Sequence, residues 1–255
     1  MENLFDLKGK VALITGASSG LGVQFAKALA RNGADVAIVA RREERLKTVK
    51  EDVEKLGVRC YMHKCDVTKV DEIKQTVADV ENYFGKIDIL VNNAGVGLFD
   101  NAEKQSDEIW TTMMHTNLDA PYYFSREVGK GMIKRGYGKI IMIGSIHSTV
   151  GMMELPLSAY TTTKGGIEMM TKQLAIEWAK YGITVNAIGP AYFPSEMTSS
   201  VIGDDNFLKV IQMRCPMGRP GRDGELDGAL LYFASDASSY TTGQLLSVDG
   251  GWTAI

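Results

Sequence analysis

The chain has 255 residues, 45% of them hydrophobic and 23% charged, an ordinary composition for one large α/β domain or at most two small ones. The formal net charge of -3 and the lack of a basic stripe argue against nucleic acid as a binding partner. No apolar run approaches the ~20 residues that span a bilayer. Residues 1–6 lack the basic and apolar regions of a secretory signal, so we expect a cytoplasmic protein with no membrane partner.

Strand-like and helical patterns alternate along the whole chain. Predicted strands cover 11–14, 36–39, 58–65, 87–91, 139–143, 183–186 and 244–248, and predicted helices cover 21–31, 43–56, 70–84, two stretches within 107–135, 159–181 and 226–234. The strands are rich in Val, Ile and Leu with little alternation, which is typical of parallel strands buried on both faces. We predict an α/β fold over residues 1–255, a single-domain Rossmann-type doubly wound parallel sheet of about seven strands with helices on both faces. A (βα)8 barrel is the competing architecture, and the strand count argues against it.

The one irregular region is 190–224, which holds four of the six prolines and a short apolar stretch at 207–213. Loops of that length inside a compact domain are usually functional, so we predict a substrate lid here.

Three cysteines are too few for a disulfide scaffold, and we expect reduced thiols. Cys60 and Cys65 flank His63, an arrangement that could indicate a metal site. Residues five apart on a strand point to opposite faces, however, so the two thiols should not converge, and we predict no metal.

A glycine-rich turn, 15–22, lies between the first predicted strand and the first predicted helix. Glycines there allow a tight turn and a close backbone approach to a pyrophosphate, and the helix N-terminus supplies free N–H groups. A plain glycine turn is the structural alternative. The dinucleotide interpretation gives as contacts Gly16, Ser18, Ser19, Gly20, Leu21 and Gly22.

The end of the second predicted strand bears on the choice of cofactor. An acid about 20 residues beyond the glycine motif would bind the ribose 2′-hydroxyl of NAD. Arg41 and Arg42 stand there instead, and a guanidinium suits a 2′-phosphate by geometry and charge. Asp35 begins the strand, too early to reach the ribose. The sequence predicts that NADP(H) is preferred, with NAD(H) as the alternative if both arginines are merely solvated.

The spacing Gly-x-x-x-Gly-x-Gly resembles the short-chain dehydrogenase/reductase family, and the resemblance covers nearly the whole chain. Asp66-Val67 matches the adenine contact of that family, and Asp249-Gly250-Gly251 matches its C-terminal signature. The fourth-strand signature is matched by Asn92-Asn93-Ala94-Gly95, and the catalytic tetrad by Asn117, Ser145, Tyr160 and Lys164. The resemblance implies an oxidoreductase that moves a hydride between the nicotinamide ring and a secondary alcohol or ketone. It also implies a homo-oligomer, a tetramer, which the exposed-looking last strand and Trp252 support.

The tetrad is also intelligible from its chemistry. Tyr160 and Lys164 lie four apart on a predicted helix and so share a face. A tyrosine is a poor base at neutral pH, and a nearby ammonium should lower its pKa so that Tyr160 acts as general acid/base. By resemblance, Lys164 also holds the nicotinamide ribose, Ser145 binds the substrate oxygen, and Asn117 holds a water linked to Lys164.

Two departures from the family pattern affect the substrate side. The family usually has Pro-Gly after the sixth strand, whereas this chain has Pro190-Ala191, which makes the backbone path less certain. Cofactor contacts are still expected from Pro190, Phe193, Ser195 and Met197. The segment 147–157 is slightly longer than in the family and is predicted to form a substrate loop.

Both that loop and the lid are rich in methionine, an adaptable residue of apolar surfaces. We therefore predict a substrate with an apolar body, such as a hydroxysteroid, although this composition could instead pack the lid down. Besides Ser145 and Tyr160, the predicted substrate contacts are His147, Met153 and Tyr192.

Three alternatives stay open. The Phe193-Pro194 lid entry and the ending 250–254 look like gluconate 5-dehydrogenase-like members, which act on polar sugar acids. The 3-oxoacyl carrier-protein reductases share the pattern, but their carrier-docking arginines fall at Gly136 and Tyr181 here, with Arg135 adjacent to the first. A non-catalytic dinucleotide sensor on the same fold would be expected to lack tetrad members, and all four are present.

Overall fold

Seven parallel strands form one sheet in the computed structural model, which describes residues 3–255. Met1 and Glu2, the start of the segment interpreted as lacking a secretory signal, lie outside the described residues. The strands are β1 (Val11–Thr15), β2 (Asp35–Ala40), β3 (Cys60–Lys64), β4 (Ile89–Asn92), β5 (Gly138–Ile143), β6 (Ile183–Pro190) and β7 (Leu245–Val248). Their spatial order is β3-β2-β1-β4-β5-β6-β7, so the predicted doubly wound sheet is confirmed.

Nine α-helices accompany the sheet within the described residues. They are α1 (Gly20–Arg31), α2 (Glu43–Glu54), α3 (Val70–Phe84), α4 (Asp107–Met114), α5 (Ala120–Arg135), α6 (Ser158–Trp178), α7 (Ser199–Ile202), α8 (Asp205–Arg214) and α9 (Asp227–Ala234). A π-helical turn, His115–Asp119, joins α4 to α5. Glycines in the left-handed conformation end α3 and α5, at Gly85 and Gly136.

The two faces of the sheet carry separate apolar cores because successive strand residues point in opposite directions. In β1, Ile14 packs with α1, α2 and α9 on one face, whereas Leu13 packs with α3, α5 and α6 on the other. Cys60 and Cys65 fall into these two different cores, so their predicted placement on opposite faces is confirmed. Burial raises the pKa of the Cys60 thiol to about 12, which keeps it protonated at neutral pH.

Strand β6 is four residues longer than the sequence predicts. Gly189 and Pro190 normally interrupt strands, but here they pair with Ser247 and Val248 of β7 at the end of the ladder. The helix predicted to reach residue 181 ends at Trp178 and continues as a 3₁₀ turn, because Gly182 leaves the helix with φ of 72°.

The region 190–224 contains α7 and α8, and its apolar side chains mainly pack this region against the rest of the domain. Phe207 and Ile211 are buried against Tyr192 and Trp252. Trp252 is only 6% exposed, so the prediction that this residue presents an apolar surface is wrong: its ring packs 5.4 Å from that of Tyr192.

No helix in the described part of the chain is both long and apolar enough to cross a bilayer. Within residues 3–255 no group of three or more His, Cys, Asp or Glu side chains is placed to hold a metal ion.

Candidate active site

A cleft of about 760 Å³ opens at the C-terminal ends of the central strands. From β1 the chain continues to one side of the sheet and from β4 to the other, which leaves a crevice where ligands of such sheets bind. The cleft is lined by the glycine-rich turn, the arginines after β2, the segment 93–96, three tetrad residues and the segment 190–198.

The glycine-rich turn is packed too tightly for side chains at two positions. Gly16 has φ of 68°, and a Cβ there would lie 2.7 Å from the Cα of Ala94. A Cβ on Gly22 would lie 2.4 Å from the carbonyl oxygen of Gly16. The hydroxyl oxygen of Thr15 accepts hydrogen bonds from the backbone N–H groups of Asn93 and Ala94, at 3.1 and 3.0 Å, which fixes the turn against the end of β4.

Helix α1 begins at this turn, and no side chain caps the backbone N–H groups of its first turn. Ser19 occupies the N-cap position without a capping hydrogen bond, and the first turn carries no acidic residue. Uncapped N–H groups and the positive end of the helix dipole suit an anion. The tight glycine cradle and this uncapped helix end fit the pyrophosphate of a dinucleotide.

At the far end of the cleft, Arg41 and Arg42 are exposed and face Asp66 and Val67 across the opening. Asp66 is held by Thr68, whose backbone N–H and hydroxyl donate to Asp66 Oδ1 at 3.0 and 2.8 Å. Arg42 contacts Ser18, Ser19 and a residue that the sequence did not single out, Glu196 of the lid.

Tyr160 and Lys164 share one face of α6, as predicted. Lys164 is 6% exposed, its Nζ donates to the carbonyl oxygen of Ile143 at 2.7 Å, and it lies 5.6 Å from the centre of the Tyr160 ring. Burial lowers the pKa of Lys164 to about 8, which leaves the group mostly charged at neutral pH.

The expected lowering of the Tyr160 pKa is not what this arrangement produces. Burial raises the pKa of Tyr160 and outweighs the opposing hydrogen bond from Ser145, so the phenol is protonated at neutral pH. The predicted lowering took account of the ammonium but not of the loss of water around the ring.

Ser145 follows β5 and is 6% exposed. Its Oγ accepts a hydrogen bond from the backbone N–H of His147 at 3.1 Å, and the Oγ of Ser148 accepts one from the Ser145 backbone at 3.3 Å. These reciprocal bonds fix the Ser145 hydroxyl near Tyr160.

Asn117 lies in the π-helical turn and is 1% exposed. Its Oδ1 accepts from the backbone N–H of Val96 at 2.8 Å, and its Nδ2 donates to the Val96 carbonyl at 2.9 Å. The side chain therefore holds the segment after β4 in place. The water-holding role implied for Asn117 stays a prediction.

The predicted substrate residues separate into two groups. His147 lies next to Tyr160, with 6.2 Å between ring centres, and Tyr192 OH is 3.3 Å from His147 Nε2. None of the three lines the cleft: His147 and Tyr192 are buried, at 6% and 9% exposed, whereas Met153 is 85% exposed, so the structure does not bring Met153 to the tetrad. Sequence composition gave no sign of which methionines of the loop point outward.

The segment after β6 follows the strand path despite the alanine. Ala191 N–H donates to the Val248 carbonyl at 3.3 Å, and no non-glycine residue among those described has a positive φ. Alanine is therefore accommodated without strain. Pro190, Phe193, Ser195 and Met197 all line the cleft, and their contact with the cofactor stays a prediction.

This fold and site define a class, the dinucleotide-binding α/β proteins with a buried Tyr-Lys pair. A family model described as enoyl-(acyl carrier protein) reductase matches residues 16–253. Gluconate 5-dehydrogenase of Gluconobacter oxydans (strain 621H) is 39% identical over 251 residues, 98% of this chain and 97% of that protein. 2-Dehydro-3-deoxy-D-gluconate 5-dehydrogenase of Bacillus subtilis (strain 168) is 39% identical over 253 residues, 99% of this chain and 98% of the relative.

A solved structure agrees with these relatives. Gluconate 5-dehydrogenase from Burkholderia cenocepacia J2315, in complex with NADP and tartrate, is 36% identical with a TM-score of 0.95, covering 99% of this chain and 98% of that one. The chain belongs to the short-chain dehydrogenase/reductase family, so the predicted family and fold class are confirmed.

Proposed function

We propose that this protein is an NADP(H)-dependent oxidoreductase that interconverts a secondary hydroxyl and a ketone on a sugar acid. The carrying observation is the convergence of Ser145, Tyr160 and Lys164 in the cleft that the glycine cradle opens. A solved relative was determined in complex with NADP. Arg41 and Arg42 follow the second strand, where the 2′-phosphate of NADP(H) would bind. The proposed partners are thus a small-molecule substrate and the cofactor. We also propose that the protein is a homotetramer.

In the reductive direction the bound nicotinamide supplies the hydride. Ser145 donates a hydrogen bond to the ketone oxygen and positions it beside Tyr160. Tyr160, protonated because burial raises its pKa, delivers its phenolic proton to that oxygen, which completes the alcohol. Lys164 would bind the nicotinamide ribose. Its ammonium also places a positive charge beside the Tyr160 phenolate that remains after proton transfer.

The methionine composition that favoured an apolar substrate has a structural explanation. Met213 and Met217 are 70% and 67% exposed, and Met152 packs against the buried cluster under the lid. Of the methionines in the two segments, Met197 lines the cleft. A hydroxysteroid therefore loses its main support, whereas the relatives favour the sugar-acid alternative.

Polar groups beside Tyr160 suit a polyhydroxylated substrate. Burial lowers the pKa of His147, which is therefore neutral at pH 7. Its Nδ1–H donates to the Val150 carbonyl at 3.1 Å, which leaves Nε2 as an acceptor, with the Tyr192 hydroxyl 3.3 Å away. We propose that His147 Nε2 and the Tyr192 hydroxyl read a substrate hydroxyl next to the reacting carbon.

A carrier-protein substrate is less consistent with the surface. Arg135, the residue that kept this alternative open, donates to the carbonyl of Ile87 and lies 3.7 Å from Glu81. Its guanidinium is thus engaged within the fold rather than presented to an acidic partner.

The test is a side-by-side measurement of kcat/KM with NADPH for 5-ketogluconate, an aliphatic ketone and an oxosteroid. We expect 5-ketogluconate to be preferred by at least tenfold, because a site with paired polar groups loses about 1–3 kcal/mol for each one left unpaired. Preference for the steroid would refute the sugar-acid proposal, and no turnover of any ketone would favour the dinucleotide sensor.

A further inference from the structure

One acidic side chain of the lid occupies the basic end of the cleft. Glu196 Oε2 accepts from Arg42 Nη2 at 2.8 Å and from the Ser19 hydroxyl at 2.9 Å, and Glu196 Oε1 accepts from Arg42 Nη1 at 3.1 Å. Arg45 donates to the same Oε1. Four donor atoms, from Ser19 of the glycine-rich turn, Arg42 just before α2 and Arg45 within it, therefore converge on one carboxylate more than 150 residues away in sequence.

This cluster keeps Glu196 ionised. Hydrogen bonds from Arg42, then Arg45 and Ser19, lower the pKa of Glu196 to about 2. The paired side chains are about half exposed, so the pair is labile, because exposed ion pairs contribute little to stability.

One of these donors, Arg42, is expected to hold the 2′-phosphate of NADP(H). Arg42 is already oriented by Ser18, whose Oγ accepts from Arg42 Nε at 3.2 Å. An arginine fork that binds a carboxylate in two places binds a phosphate in the same way. A carboxylate and a phosphate dianion cannot share Arg42 without strong like-charge repulsion.

Within residues 195–202, Glu196 makes the hydrogen bonds that tie the lid to the opposite wall of the cleft. Phe193 is 5% exposed beneath the lid, and the Thr198 hydroxyl bonds to the Phe193 carbonyl and lies 2.9 Å from the Ser195 hydroxyl. Glu196 itself is exposed and bonds to the opposite wall of the cleft.

We propose that Glu196 is an internal ligand of the 2′-phosphate subsite, which the phosphate of NADP(H) displaces, so that phosphate binding releases residues 195–202 of the lid. This inference rests on the proposed use of NADP(H). NAD(H), which lacks the phosphate, leaves the Glu196–Arg42 pair in place.

The test compares Glu196→Gln with wild type and with Glu43→Gln. The control removes the same charge from the exposed first turn of α2, one residue from Arg42. Dissociation constants are measured by calorimetry for NADPH and NADH, and for adenosine 2′,5′-bisphosphate and adenosine 5′-monophosphate, which probe the subsite without the nicotinamide. Hydrogen exchange of residues 195–202 is followed with each ligand.

In Glu196→Gln we expect NADPH and the bisphosphate to bind roughly three- to tenfold more tightly, with NADH and the monophosphate unchanged within about twofold. Glu43→Gln should change none of the four by more than about twofold, because exposed charges are screened by salt. In wild type the bisphosphate should raise exchange at 195–202, and the monophosphate should not.

Weaker binding of both NADPH and NADH by Glu196→Gln would overturn the proposal, since it would make Glu196 a clasp that persists over the bound cofactor. Unchanged affinities would overturn it as well. Failure of the wild type to bind NADPH or the bisphosphate would instead refute the cofactor assignment on which the inference rests.

Discussion

Replacing Lys164 with methionine should stabilise the cofactor-free protein while abolishing most of its activity. Burial lowers the pKa of Lys164 from 10.5 to about 8, so holding the ammonium in the folded protein costs about 3 kcal/mol at neutral pH. Methionine keeps the apolar stem but leaves the Ile143 carbonyl without its donor, a loss of about 1–2 kcal/mol. The net gain of about 1–2 kcal/mol corresponds to roughly 2–8 °C in Tm for a chain of this size.

The gain must depend on pH in a defined direction. Lys164 is protonated up to about pH 8 in the folded state and up to about 10.5 in the unfolded state. Between these values the unfolded chain binds more protons, so the wild type becomes more stable relative to Lys164→Met as pH rises. The advantage of the variant is complete below about pH 8 and is lost by about pH 10.5.

Urea unfolding followed by tryptophan fluorescence, at pH 7 and pH 10 without cofactor, measures this difference. Lys172→Met on the same helix is the matched control, because the Lys172 ammonium is exposed and pairs with Glu168 at 2.6 Å. We expect the control to change stability by less than about 0.5 kcal/mol at pH 7. A Lys164→Met protein that is less stable than wild type by the same amount at both pH values would refute the reasoning.

Four further predictions concern the cleft and the assembly. Tyr160→Phe should lower kcat by roughly a hundredfold or more while NADPH still binds in a fluorescence titration, because only the phenolic hydroxyl that donates the proton is lost. Gly22→Ala should abolish NADPH binding in the same titration, since its Cβ would lie 2.4 Å from a backbone oxygen, whereas Gly228→Ala, with open space around it and no positive φ, should bind normally. Arg41→Asp should weaken NADPH at least tenfold and improve NADH, as measured by kcat/KM for each. Light scattering at micromolar concentration should show a tetramer, and a monomer would contradict that proposal.

The main elements could be predicted because their signals are local. Helix α3 has its predicted bounds, since an apolar stripe runs from Val70 and Gly85 ends it in the left-handed conformation. The end of β6 was missed because Gly189 and Pro190 become strand residues only when β7 lies beside them. Pairing with a distant strand thus overrode their local preference against strands.

The site was predictable to the same extent. The Tyr160–Lys164 pair and the glycine cradle follow from short spacings, whereas Ser145 was assigned by resemblance to the family, and all of these line one cleft. The ion pair between Arg42 and Glu196 joins residues more than 150 positions apart, so no local sequence pattern predicts it. The outward direction of Met153 and the burial of Trp252 likewise depend on how the lid packs, which composition alone does not determine.

The burial of Tyr160 bears on both directions of the proposed reaction. Burial raises the pKa of Tyr160, and the neighbouring Lys164 does not reverse that effect, so the resting site holds a protonated phenol suited to donating a proton. Oxidation of an alcohol requires the opposite protonation state. The positive nicotinamide of the oxidised cofactor adds a charge to the site, which favours the phenolate. In the proposed mechanism, the redox state of the bound dinucleotide therefore determines whether Tyr160 acts as acid or base, so that one site can serve both directions.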